Sequence, residues 1–114
     1  MRDIGTLNDD LVVCEDQELS GHVDGDIQIE SGVWLKLEGN CSGDIQLKSG
    51  SGLELHGTVQ GDVTVSSGAN VQIYGTLEGD LFNSGTAEII GQVEGDTLTR
   101  PGGFTTVDAR KVKN

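Results

Sequence analysis

The sequence predicts an all-β protein, a single-stranded parallel β-helix (solenoid) of about five 18-residue rungs. Three observations carry this. The pair Gly-Asp recurs at Gly25-Asp26, Gly43-Asp44, Gly61-Asp62, Gly79-Asp80 and Gly95-Asp96, in three steps of 18 residues and one of 16. Apolar and polar residues alternate between the glycines. At a step of 18, like residues fall on like; a meander of hairpins does not require that, but a coil returning to the same place does. Parallel crossover connections are right-handed by strong general preference, and that is the hand expected here.

In chain order, residues 1–20 read as an N-terminal capping segment and an irregular first coil, made polar by Asn8-Asp9-Asp10 and Glu15-Asp16-Gln17-Glu18. Residues 21–98 hold the repeats. The rows are GHVDGDIQIESGVWLKLE, GNCSGDIQLKSGSGLELH, GTVQGDVTVSSGANVQIY, the shorter GTLEGDLFNSGTAEII and a fading GQVEGDTLTRPGGFTTV. Within them, Ile27-Gln28-Ile29 and Leu53-Glu54-Leu55 have period two, the mark of short half-buried strands, and no segment has helical spacing. The apolar columns are Val23, Cys41, Val59, Leu77, Val93; Ile27, Ile45, Val63, Leu81; Ile29, Leu47, Val65; Leu35, Leu53, Val71; and Leu37, Leu55, Ile73. Stacked at about 4.8 Å per strand, five turns make a rod roughly 24 Å long. Glycines serve the corners, where a side chain would collide with the rung above. The fourth row is two residues short around Asn83-Ser84-Gly85, so a corner should tighten there. Residues 99–114 read as a C-terminal cap and tail, with Pro101-Gly102-Gly103 and the basic Arg110, Lys111 and Lys113 covering the last coil.

The 114 residues fit one domain. Hydrophobic residues are only 34% and the net charge is −12, a balance that suggests disorder until the regular placement of the apolar residues is seen. A polyanion without a basic stripe is a poor partner for nucleic acid or an anionic membrane surface; a basic protein suits it better. No run approaches the roughly 20 apolar residues of a membrane span, and MRDIGTLNDDL has no apolar signal-peptide core. Two cysteines are too few for a disulfide framework, so a cytoplasmic location is expected.

The Asp ladder (Asp26, Asp44, Asp62, Asp80, Asp96) is the most conspicuous polar feature. Stacked carboxylates can hold calcium, but the G-G-x-G-x-D spacing of calcium-binding β-helices is missing, and capping of backbone amides is the expected role. His22 and His56 lie in different columns without a second ligand in register. Neither a metal nor a cofactor is expected. Cys41 shares the Val23 and Val59 column and should be a buried hydrophobe, and no pairing with Cys14 is expected. No nucleophile–base pair, P-loop or dinucleotide fingerprint is present, and the rungs have no loops with which to build a cleft, so the chain reads as non-enzymatic. Trp34, Tyr74, Phe82 and Ile90 break the alternation and should point outward; with His56, which shares a column with Tyr74 and Ile90, they are the candidate protein-interface residues.

The rows G-x-V-x-G-D-I and G-x-L-x-G-D-L, over roughly Leu19 to Leu98, resemble the bactofilins, bacterial polymer-forming cytoskeletal proteins. The resemblance implies a right-handed β-helix that polymerises end to end without nucleotide and scaffolds membrane or cell-wall partners. The expected function is a structural protein that self-associates through its terminal rungs. The alternative is a small acidic inhibitor, such as a bacterial toxin-immunity protein, that docks on a basic partner.

Overall fold

The chain winds as a coil of three strands per turn. A computed structural model describes residues 2–7 and 10–107, with residues 2–7 and 107 described through their backbone. Among these residues every regular element is a strand, and every pairing is parallel. A long-strand face stacks Trp34–Leu37, Gly52–Leu55, Asn70–Ile73, Thr86–Ile89 and Phe104–Val107, in the register Trp34, Gly52, Asn70, Thr86, Phe104. A middle face stacks Leu11–Val13, Ile27–Ile29, Ile45–Leu47, Val63–Val65, Leu81–Asn83 and Thr97–Thr99. A short-strand face stacks Asn40–Cys41, Thr58–Val59, Thr76–Leu77 and Gln92–Val93. The strand Gln17–Val23 bends across the corner and starts both the long and the short face, and Arg2–Leu7 pairs beneath it. Two strands per row are plain from alternation. The third has only two residues, too few to alternate visibly, although its apolar column is legible.

The inward columns make one continuous core. Val23, Cys41, Val59 and Leu77 are fully buried, as are Ile45, Val63 and Leu81, and Leu37, Leu55 and Ile73. Period two sets the register: a slip of one residue would turn every Leu and Ile of a strand to solvent.

The corner between the middle and long faces is a four-residue turn. Val33 N donates to Glu30 O, Ser51 N to Lys48 O and Ala69 N to Ser66 O, at 3.2, 3.0 and 2.9 Å. The third residue is Gly32, Gly50 or Gly68, with φ of 77°, 79° and 85°, as a type II turn requires. The expected tightening is present: only Ser84-Gly85 separates Asn83 from Thr86. The same two-residue shortening occurs once more, between Val13 and Asp16, because Leu11 pairs with Ile27 at a step of 16. The ladder therefore runs upstream of the first row counted from sequence, through residues 11–20, and Asp10 stands one rung before Asp26. At the other end, Arg100-Pro101-Gly102-Gly103 restores the four-residue turn, with Gly103 N to Arg100 O at 2.8 Å and φ of 89° at Gly102, and leads into Phe104–Val107. The capping roles assigned to Asn8, Asp9, Arg110, Lys111 and Lys113 lie outside the described residues.

Candidate assembly surfaces

The Gly-Asp corner has a mechanical explanation. Each Asp carboxylate reaches to the next rung and accepts the backbone N–H of the next Asp. Oδ1 of Asp10, Asp26, Asp44, Asp62 and Asp80 accepts from the amides of Asp26, Asp44, Asp62, Asp80 and Asp96 at 2.8–2.9 Å. To do so, the carboxylate of Asp26 leans over Gly43, into the space a Cβ there would fill. Asp44 leans likewise over Gly61, Asp62 over Gly79 and Asp80 over Gly95. Gly25 opens the series. Glycine and aspartate thus form one unit across two rungs: the acid satisfies an amide and the next glycine leaves room for it. These are charge-assisted bonds, stronger than neutral ones. Among the described residues, no group of three or more His, Cys, Asp or Glu is placed to hold a metal ion.

Cys41 and Asn83 depart from the aliphatic columns, as does the buried Ser51 at its corner. Cys41 is fully buried, and its Sγ lies 3.4 Å from Gly25 O and 3.5 Å from Gly43 O. Burial pushes its thiol up to about 11, with Asp26 and Asp44 adding to the shift. Cys14 is exposed and both thiols are free. Asn83 replaces Val65 in its column and is also fully buried. Its Oδ1 accepts Gly85 N at 3.0 Å; its Nδ2 donates to Phe104 O at 2.8 Å and to Thr105 Oγ1 at 2.9 Å. Gly85 N–H at the tight corner and Phe104 C=O on the last strand thus share one side-chain amide as partner, which an aliphatic side chain cannot supply.

The outer faces carry the interface candidates. On the long-strand face Trp34 is exposed, with its ring over Gly52, and its backbone N–H donates to Asp16 Oδ1 at 2.8 Å. His56 and Tyr74 occupy adjacent rungs of one column, their rings stacked at 4.7 Å and 6° apart. His56 Nε2 also meets Glu54 Oε1. Ile90 follows in the same column, half-buried. Phe82 lies apart from these on the middle face, beside Thr64 and Leu98, and is half-buried. His22 Nε2 pairs with Ser42 Oγ at 2.9 Å. Nearby charges are paired: Lys36 with Glu38 at 3.3 Å, which raises the lysine's pKa, and Lys48 with Glu30 at 3.2 Å. The hydrogen bond from Gln28, followed by that from Lys48, lowers the Glu30 pKa. Sequence reasoning did not single out Val12, Leu98 and Phe104, all exposed. Their signal lay in the columns, but those columns are reached through the 16-residue steps and the restored last corner.

The ends of the rod differ. The first full turn packs Leu11, Val13 and Leu19 inward. The last presents Thr97, Thr99 and Thr105, with Thr99 and Thr105 hydroxyls 2.7 Å apart. Gln92–Val93, Thr97–Thr99 and Phe104–Val107 each have a strand neighbour on one side only among the described residues.

Parallel strands stacked on three faces of one coil define the class of parallel β-helices. Within that class the chain belongs to the bactofilin family: residues 5–94 match the family model described as polymer-forming cytoskeletal. No curated protein and no solved structure matches the chain. Among the described residues, no helix is long and apolar enough to cross a membrane.

Proposed function

We propose that the protein is a non-enzymatic scaffold subunit that self-assembles end to end through its terminal rungs. One observation carries the reading: among the described residues, the strands of the last turn on all three faces have a neighbour on one side only. An open edge is a template for another chain, and here it is ringed by threonine hydroxyls that keep a lone end wettable. A second copy laid on that end continues the parallel or antiparallel ladder and covers the core cross-section. Membership of a polymer-forming cytoskeletal family supports this over the reading as an acidic inhibitor of a basic protein.

The test is light scattering behind a sizing column across protein and salt concentration, with electron microscopy of the large species. Filaments that persist in high salt are expected. Thr97→Lys with Thr99→Lys, which puts two charges on the open cross-section, should leave monomers with an unchanged melting temperature. A wild-type chain that stays monomeric at its highest soluble concentration would overturn the proposal.

A further inference from the structure

We infer that the long-strand face is a second, lateral interface, and that its occupant is the same face of another copy, antiparallel and related by a two-fold axis. The pairing stands whether or not the ends join. The face carries a groove of about 410 Å³ lined by Trp34, Gly52, Asn70 and Gln72 among others. In the column Trp34, Gly52, Asn70, Thr86, Phe104, Gly52 has no side chain and the Trp34 ring lies across its place. Three rungs above, in that same column, Phe104 stands 64% exposed. The face thus holds two exposed aromatic groups in one column, the Trp34 ring lying over Gly52 and Phe104 three rungs above Gly52.

A two-fold axis along the strands places each column against itself, running in reverse. One register seats Phe104 of each copy on the Trp34 ring that lies over Gly52 of the other. It also sets Asn70 against Thr86, Gln72 against Glu88, Glu54 against Thr106, and Tyr74 against Ile90. Apolar meets apolar, polar meets polar, and no two carboxylates face each other. Neighbouring registers fail. A slip of one rung one way opposes Glu54 to Glu88 twice; one rung the other way opposes Glu88 to itself. A slip of two rungs, toward Lys36 opposite Glu88, leaves Phe104 against Asp16 and Ile90 against Glu38. Charge therefore selects the register that buries the aromatics.

The overlap covers four rungs and five residues, about 19 by 17 Å at ordinary strand dimensions. That is below the roughly 800 Å² per partner of a standard interface, so one pair is weak, and the contact gains strength when subunits repeat it along a rod.

Thiol cross-linking tests the register. In a Cys14→Ser background, a Glu54→Cys protein is mixed with a Thr106→Cys protein. A short bis-maleimide is added that spans the ~10 Å between packed sheets. Mixed dimers are expected. Either protein alone should give few, because its two thiols then sit three rungs, about 14 Å, out of register. Tyr74→Lys in both proteins should reduce cross-linking to the single-protein level without moving the melting temperature. End-to-end joints cannot imitate the result, since Glu54 lies three rungs below the last turn. The proposal is wrong if the mixture gives no dimer, if the single proteins cross-link as well as the mixture, or if Tyr74→Lys has no effect. It is equally wrong if no dimer forms and cellohexaose shifts Trp34 fluorescence, which would assign the groove to a glycan.

Discussion

Cys41 and Asn83 show what one position in a stacked core can demand. Cys41 substitutes for valine in its column and is buried as a protonated thiol. A group whose folded pKa is raised, here to about 11 from an ordinary 9, stabilises the fold fully below the unfolded value, and that contribution is lost as pH rises toward 11. Two units correspond to roughly 2–3 kcal/mol. Urea unfolding should therefore show stability declining between pH 9 and 11 more steeply than in Cys41→Val, whose profile lacks the thiol. A thiol reagent at neutral pH should modify Cys14 alone. Asn83 makes the opposite point. Leucine is the residue at Leu47 in the same column, yet Asn83→Leu should cost about 2–4 kcal/mol, because it takes the side-chain partner from the buried Gly85 N–H and the part-buried Phe104 C=O. Denaturant titration of the two proteins measures the difference.

At the scale of the element, the turn matters more than the strand. Strands of two to four residues have little stability alone; each is held by the strands above and below it. The Asp ladder ties the rungs together at a corner where carboxylates about 4.8 Å apart repel one another while each secures an amide. Asp62→Ala removes the acceptor of Asp80 N–H and should cost about 1 kcal/mol. Asp62→Asn keeps an Oδ1 in place and removes one repelling charge, so it should stay within about 0.5 kcal/mol of the wild type at low salt. A thermal melt of both variants at two ionic strengths separates the hydrogen bond from the repulsion, because salt screens only the latter.

At the scale of the molecule, translation is the governing symmetry. Each turn touches only its neighbours, so the rod should tolerate the removal of one whole turn. Deleting residues 45–62 joins Asp44 to Val63, the same junction as Asp62 to Val63. The product should fold, with the same far-UV spectrum per residue and a smaller denaturant m-value in proportion to the lost surface. Deleting residues 45–53 instead puts a long-strand segment on the middle face and should leave an unfolded chain. Net charge of −12 sets the conditions for association: two acidic rods approach more readily as salt rises, so end joining and face pairing should both increase with ionic strength.

The sequence by itself determined the coil, its 18-residue step and its core columns. Period-two alternation allows one inward set per strand, and vertical likeness such as Ile27, Ile45, Val63 and Leu81 allows one stacking. The shortened corner at Asn83-Ser84-Gly85 was also legible, as a gap in the rows. Only the tertiary structure decided what the side chains touch across rungs. That Asp26 reaches the amide of Asp44 and not its own turn, that Asn83 satisfies groups 2 to 22 residues away, and that Asp10 belongs to the ladder all depend on the length of a corner. The shared face of Trp34, Tyr74, Ile90 and Phe104 depends on it as well. Two residues more or fewer at a turn leave the inward pattern of each strand intact but change which positions stand one above another. Alternation reports the first; only the closed coil reports the second.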